Sequence, residues 1–280
     1  MTLPRVSVVL PAKDEEGCVA DVVSAISSVL ADLAVEIIVV DDGSSDGTAA
    51  RVAGLLPTVP GLRLLRHDRA CGQSAAILTG VLAARGSIVA TLDADGQNPP
   101  AELPRVLAPF LEAAPDPGLG LVQGQRVSRQ DRLSRRLASR VANGLRAKLL
   151  GDGLRDSACG LKAFPREVYL RLAYFDHIHR FMAAMVLREG FAVQTVEVAH
   201  APRRTGRSKY GNLRRGVMGS VDLLGVAWLM RRKQVCGIRE AGQAYGWSAD
   251  GSADLRLSRS VAGSRDVADL IPLQAGQASA

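Results

Sequence analysis

Two carboxylates one residue apart, Asp93 and Asp95, follow the apolar run SIVATL and precede Pro99-Pro100. Asp-x-Asp spacing lets both groups offer oxygen to one hard cation, and Mg²⁺ or Mn²⁺ keeps positions open for substrate phosphate oxygens. The same residues also suit a plain turn, with Asp95-Gly96 as turn chemistry and the prolines opening a helix. Further acids stand earlier, Glu15 in KDEE and Asp41-Asp42 at the head of DDGSSDGT; Asp42 equally suits an Asx turn or helix cap. The opposite charge collects late, where Arg203, Arg204, Arg207, Lys209, Arg214 and Arg215 fall within thirteen residues. Guanidinium forks and ammonium groups bind phosphate through charge-assisted hydrogen bonds, although a charge run is also what a solvated face looks like. His177 and His179 have no third metal ligand near them in sequence and read as structural. Cys159 lies close to these motifs, with nothing in the sequence that activates it as a nucleophile.

The elements that must position these groups alternate in kind. Val6 to Leu10, Val35 to Val40, Leu62 to Arg66 and Ile88 to Leu92 are short apolar runs that read as strands. Helical spacing marks segments near 16–32, 45–56 and 73–84. That rhythm predicts βαβ units and a parallel sheet. Further strands are expected at Gly120 to Gln123 and Ala192 to Ala199, with helices near 101–113, 133–150, 166–172 and 178–189. Ligands of open parallel sheets bind beyond the carboxyl ends of the strands, which is where the acids lie. Like charges gathered at one rim repel, and a divalent cation is the usual way to hold them.

Composition bounds the alternatives. The chain has 280 residues, 47% of them hydrophobic, and a formal charge of +7, so a core is affordable and a polyanionic partner is favoured: nucleic acid, an anionic membrane or a phosphorylated substrate. Four scattered cysteines without a CxxC pair indicate neither a zinc motif nor a disulfide framework, and fit a reducing cytoplasm. The first apolar run is too short for a signal peptide. No Gly-x-Gly-x-x-Gly follows the first strand, which disfavours a dinucleotide-dependent oxidoreductase. A non-enzymatic basic module that binds membrane or nucleic acid would explain the charge but leave Asp42, Asp93 and Asp95 without a role.

Two segments suit a membrane surface. Residues 129–151 place Leu133, Leu137, Val141, Leu145 and Leu149 on one helical face among Arg132, Arg135, Arg136, Arg140, Arg146 and Lys148, a pattern shared by interfacial helices and by ordinary helices packed on a sheet. Residues 216–230 would form a helix about 22 Å long, short of a hydrocarbon core of about 30 Å. Asp222 near its middle argues further against spanning. Flanking cations and Trp228 suit an interfacial position. From about Gly237 the pattern dissolves into Gly, Ser, Ala and Asp, which reads as a poorly ordered tail.

Six motifs in order, VSVVLPAKDEE, EIIVVDDGSSDGT, GQSAAILTG, ATLDADGQNPPAELP, DSACGLKAF and RRTGRSKYG, resemble the family 2 glycosyltransferases of GT-A fold, in particular the polyprenyl-phosphate sugar synthases such as dolichol-phosphate mannosyltransferase. The resemblance runs from about residue 4 to 232. It implies an α/β, Rossmann-like and mostly parallel central sheet flanked by helices, with a catalytic domain over 1–212, an amphipathic interface helix over 213–233 and a tail over 234–280. It places Pro11, Glu15, Asp41, Asp42, Asp93 and Asp95 at the nucleotide-sugar. Asp93, Asp95 and Gln97 would hold Mg²⁺ or Mn²⁺. Arg136, Arg140, Lys148, Arg203, Ser208 and Lys209 would meet acceptor or donor phosphate, and Asp95, Asp156 and Arg203 would carry the chemistry. Lys13-Asp14 replaces the commoner aromatic-Asn pair, and Gly160 stands where some relatives have aspartate. The implied reaction moves a sugar with inversion from a nucleotide-sugar, GDP-mannose first and UDP-hexose next, to a polyprenyl phosphate. A soluble or polysaccharide acceptor is the alternative. The implied setting is the cytoplasmic face of a membrane, as a peripheral protein or one that borrows a membrane-protein partner, with no nucleic acid.

Overall fold

The first strand, β1 (Val6–Ala12), is apolar almost throughout, and Val6, Val8, Val9 and Leu10 are fully buried. A strand covered on both faces reads as a continuous hydrophobic run, because helices cover a parallel sheet on each side. Its side chains divide accordingly. Val6, Val8 and Leu10 join one core with Val19, Val23 and Ile26 of α1 (Val19–Val29), Val52 of α2 (Thr48–Ala53) and Val106 and Leu107 of α4 (Leu103–Leu111). Val9 joins a second core with Ile77 and Val81 of α3 (Gln73–Ala83), Val168 of α5 (Arg166–Arg171) and Met182 and Met185 of α6 (Met182–Arg188). Gly80 lets α3 lie directly on β1, since a Cβ there would overlap the Val9 side chain.

The computed structural model describes residues 3–126, 146, 149–151, 153, 154, 156, 157, 159–199, 201 and 212–232, with side chains of the last helix from residue 218 onward. Seven strands form one sheet in the order β3-β2-β1-β4-β6-β5-β7, adding β2 (Val35–Asp41), β3 (Leu62–Arg66), β4 (Ile88–Thr91), β5 (Leu119–Arg126), β6 (Lys162–Pro165) and β7 (Ala192–Val198). β1 pairs in parallel with β2 and β4, β2 with β3, and β5 with β7. β6 runs antiparallel between β4 and β5. The parallel rhythm of the sequence therefore holds except at β6, a four-residue strand, Lys-Ala-Phe-Pro, too short to show a period.

The end of the sheet opposite the acidic rim is closed by a buried polar network. Ser7 donates to Glu36 (Oγ to Oε1, 2.7 Å), Arg63 reaches the other oxygen at 2.8 Å, and the Arg85 amide donates to Oε1 at 2.6 Å. Burial alone would raise the Glu36 pKa, but these donors outweigh it and hold the carboxyl below its ordinary value.

The last described element, α7 (Asn212–Arg231), docks on the second core through Val226 and Ala227, with Leu223, Leu229 and Met230 packed alongside. Asp222 accepts from His177 (Oδ2 to Nδ1, 2.8 Å), and Arg188 donates to the Leu229 carbonyl at 3.1 Å. Among the described residues no helix is long and apolar enough to cross a membrane.

Candidate active site

Chain order reverses between β1 and β4, the kind of switch point beyond whose carboxyl ends open sheets bind their ligands. Register brings the rim together: Ala12 faces Asp41, and the Asp42 amide donates to the Ala12 carbonyl at 2.8 Å. Pro11 sits opposite Val40. The Glu15 amide donates to Thr48 Oγ1 at 2.8 Å, and its carbonyl starts the turn into α1 by accepting from Cys18 and Val19. Asp41 is fully buried, bonded to the Ser44 amide at 3.1 Å and to Arg66 at 3.2 Å. Lys13 donates to the Gly43 carbonyl at 2.9 Å, and Asp14, at φ +52°, accepts from the Ser45 amide at 2.7 Å. The unusual Lys-Asp pair thus ties the first loop to the second.

Asp42 and Asp93 are joined by one corner. Asp42 accepts from the amides of Cys71 (2.7 Å) and Gly72 (2.9 Å) and from His67 Nδ1 (2.8 Å). Burial pushes its pKa up, but those amides and the histidine overcome it and keep the carboxyl below the usual value. Gly72 turns at φ +95°, a conformation that favours glycine. The next residue, Gln73 at the head of α3, donates from Nε2 to Asp93 Oδ1 at 2.8 Å. Asn98 Nδ2 reaches the other oxygen at 3.2 Å. On the far side Gly160 has no side chain to spare, since a Cβ would overlap the Asp93 carboxylate.

Charge around Asp93 is uneven. Burial and the neighbouring Asp95 push its pKa up, against the pull of Lys162 and Arg126. A carboxylate whose charge is disfavoured beside another is stabilised by a divalent cation, and Asp93 and Asp95 fit a hard metal on that ground. Asp95 accepts from the Gln97 amide at 3.0 Å, and the Gln97 carbonyl accepts from Ala201.

Sequence reasoning missed two cations here. Arg126, at the end of β5, grips Asp156 at two points, Nε to Oδ2 at 2.5 Å and Nη2 to Oδ1 at 2.8 Å. Burial disfavours the guanidinium charge, but Asp156 outweighs it and raises the Arg126 pKa. Lys162 on β6 is 3% exposed and donates to the Cys159 carbonyl. Burial lowers its pKa, against the opposing charges of Cys159, Asp93 and Asp156. The motif GLKAF contained the signal, but only the return of β6 between β4 and β5 shows that Lys162 stands beside Thr91 and Gln123. Cys159 is buried and its thiol is pushed up by that burial, so it is no ready nucleophile. His179 bonds Ser74 at 2.7 Å and is driven down to about 3 by burial and by Lys162, so it stays neutral.

Other expected groups fall elsewhere. Arg136, Arg140, Lys148, Arg203, Ser208 and Lys209 lie outside the described residues. Arg146, in a segment that suits either an interfacial helix or one packed on the sheet, is 6% exposed and donates to the Leu154 carbonyl at 2.6 Å; a buried guanidinium needs an acceptor, and here the chain's own backbone supplies it.

The profile described as "Glycosyl transferase family 2" matches residues 7–172, more than half of the chain and the whole of this rim. The chain belongs to glycosyl transferase family 2. Within the family, undecaprenyl-phosphate 4-deoxy-4-formamido-L-arabinose transferase of Edwardsiella ictaluri is 37% identical over 75% of this chain and 64% of its own length. Dodecaprenyl-phosphate galacturonate synthase of Rhizobium johnstonii is 32% identical over 82% of this chain and 68% of its own. The chain thus spans about 64% of the length of the first of these relatives. Among solved structures, glucosyl-3-phosphoglycerate synthase of Mycobacterium tuberculosis superposes with a TM-score of 0.60 at 26% identity, over 85% of this chain and 83% of that one. The same enzyme in complex with Mn²⁺, uridine diphosphate and glucosyl-3-phosphoglycerate gives a TM-score of 0.59 at 25% identity.

Proposed function

We propose that the chain is a metal-dependent, inverting glycosyltransferase that moves a sugar from a nucleotide-sugar to a polyprenyl phosphate at a membrane surface. The observation that carries this reading is the acidic couple Asp93 and Asp95 just past the end of β4, with the Asp93 carboxylate fixed by Gln73 and Asn98. Acids there suit a metal on a diphosphate, and Arg126, gripped by Asp156, adds a guanidinium to the same rim. The names of the 37% and 32% identical relatives support a polyprenyl-phosphate acceptor. The relative holding Mn²⁺ and uridine diphosphate supports a UDP-sugar ahead of GDP-mannose.

Asp93 and Asp95, with Gln97, would hold the ion, which when bound neutralises charge on the leaving diphosphate. Gln73 and Asn98 fix the Asp93 carboxylate from two sides, so the rim is preorganised. A phosphate monoester is already anionic near neutral pH, so positioning and electrostatics supply the rate without a strong protein base. Asp156 fits that picture as the group that orients Arg126, both its oxygens facing the guanidinium. The catalytic unit over 1–212 would rest on the membrane through the helix of 213–233, whose free side shows Met218, Val221, Leu224 and Trp228. The tail over 234–280, and a membrane-protein partner at the cytoplasmic face, belong to the same reading.

A second reading, a soluble acceptor, has one specific support: the solved relative carries phosphoglyceric acid. Transfer of radiolabel from UDP- and GDP-sugars into an organic-extractable lipid, with Mn²⁺ and polyprenyl-phosphate vesicles, separates the two. Labelled lipid that vanishes in Asp93→Ala and with chelator is the expected result. Donor turnover without labelled lipid would move the assignment to a soluble acceptor.

A further inference from the structure

Beside the acidic rim, the ends of β2 and β3 and the loop into α3 bring three donors of different kinds together. One ligand atom each from Asp42, His67 and Cys71 lies within 4.8 Å of the others. A carboxylate, an imidazole and a thiol are a poor set for Mg²⁺ and a good one for zinc or cobalt, which take nitrogen and sulfur readily. We infer that Asp42, His67 and Cys71 form a site for a thiophilic divalent cation, separate from the Asp93–Asp95 site.

Three further features fit this chemistry. His67 is held from behind: Nε2 lies 2.9 Å from Thr79 Oγ1. A hydroxyl both donates and accepts, so Thr79 serves the imidazole whether it faces Asp42 or an ion through Nδ1. Metal-bound histidines regularly give their other N–H to such an oxygen. Second, the Cys71 backbone is already anchored on Asp42 through its amide, while its exposed thiol donates to the Arg69 carbonyl at 3.4 Å, a contact it would give up to turn onto an ion. Third, Asp176 brings another carboxylate to the same corner, its Oδ1 3.6 Å from where a Gly72 Cβ would stand.

Binding balances simply. With His67 neutral, its proton passes from Nδ1 to Nε2, where Thr79 accepts it, and the Cys71 thiol releases one proton as its thiolate joins the metal. Zinc–ligand bonds of about 2.0–2.3 Å are reached by closing the exposed Cys71 side chain onto the His67–Asp42 pair. Because the family resemblance places Asp42 at the nucleotide-sugar that the proposed function takes as donor, a filled site competes with the donor. That consequence rests on the proposed function; the site itself does not.

Titration of the full chain with Co²⁺ tests the site, in a Cys236→Ser background so that the tail thiol contributes nothing. The expected result is one equivalent of cobalt with a thiolate-to-cobalt charge-transfer band, displaced by zinc. The band is absent in Cys71→Ser and in His67→Asn, and in Thr79→Val affinity falls by about 10–100-fold. Circular dichroism melts of each variant show that the fold persists. A folded chain that gives no band, or a band that survives Cys71→Ser, overturns the inference. A uridine diphosphate titration then separates the two readings: a band that the nucleotide leaves unchanged keeps the metal site and removes Asp42 from the donor pocket.

Discussion

Asp93 is confined on three sides, by Gln73, by Asn98 and by the bare backbone of Gly160. Adding one methyl at Gly160 forces the carboxylate off its position, and displacement by about 1 Å at a reacting centre costs on the order of 10²-fold in rate. Gly160→Ala should therefore lower turnover by about that factor. The thermal melt should fall by only a few degrees, as expected of a local overpacking of about 1–3 kcal/mol. A rate within twofold of the parent would show that Asp93 need not stand where it does. Gln73 acts on the same carboxylate from the other side through a hydrogen bond rather than through volume. Gln73→Leu should weaken Mn²⁺ binding by about 10–100-fold, read from the paramagnetic signal of free manganese, with the melt nearly unchanged. Neither Gln73 nor Gly160 stands out in the sequence as a metal-site residue. Each matters because the fold brings it against Asp93 from a distant segment.

The strands were legible where the residues form an uninterrupted apolar run or an alternating one, as in β1 and β7. β1 and β2 are covered on both faces and declare themselves as apolar runs; β6 is four residues long, with Lys and Pro among them, so the one antiparallel strand of a mostly parallel sheet could not be placed from sequence. The acids of the rim could be read because each follows directly on its own strand. Arg126 and Lys162 could not, since their meeting with Asp93 depends on β6 threading back between β4 and β5. The opposite end of the sheet gives a prediction of its own kind. Glu36 binds Ser7 of β1, Arg63 of β3 and the amide of Arg85, which leads into β4, so one carboxylate ties four strands. Glu36→Ala should cost about 3 kcal/mol in a urea melt at neutral pH, because it takes the acceptor from the buried Ser7 hydroxyl, the Arg85 amide and the part-buried Arg63 together. The pH dependence follows from the lowered folded pKa: the Glu36 contribution is complete above the ordinary glutamate value of 4.5 and is lost as pH falls through the folded value below it. The gap between parent and variant should narrow only on that acid side; a constant gap down to pH 2 would mean that the carboxylate charge contributes nothing.

At the scale of the molecule, the net charge of +7 and the outer side of α7 address one kind of surface by two forces of different range. Met218, Val221, Leu224 and Trp228 recur at helical spacing and are exposed, Trp228 at 59%, while Val226 and Ala227 on the inner side are buried. Arg232 stacks over the Trp228 ring at 5.4 Å, placing a cation at the level an interfacial indole occupies. Asp222 faces the body of the protein through His177 and does not interrupt the outer stripe. In the proposed reading the cations collect the protein on an anionic bilayer and the stripe then enters the interface. Screening separates the two forces: the Debye length falls from about 10 Å at 0.1 M salt to about 3 Å at 1 M. Cosedimentation with vesicles containing anionic lipid should therefore drop steeply with salt but level off above zero. The residual binding should disappear in a Leu224→Ser, Trp228→Ser variant, whose low-salt binding weakens far less. A variant that keeps the residual binding would take the membrane contact away from α7 and assign it to another segment, the basic stretch of residues 129–151 first.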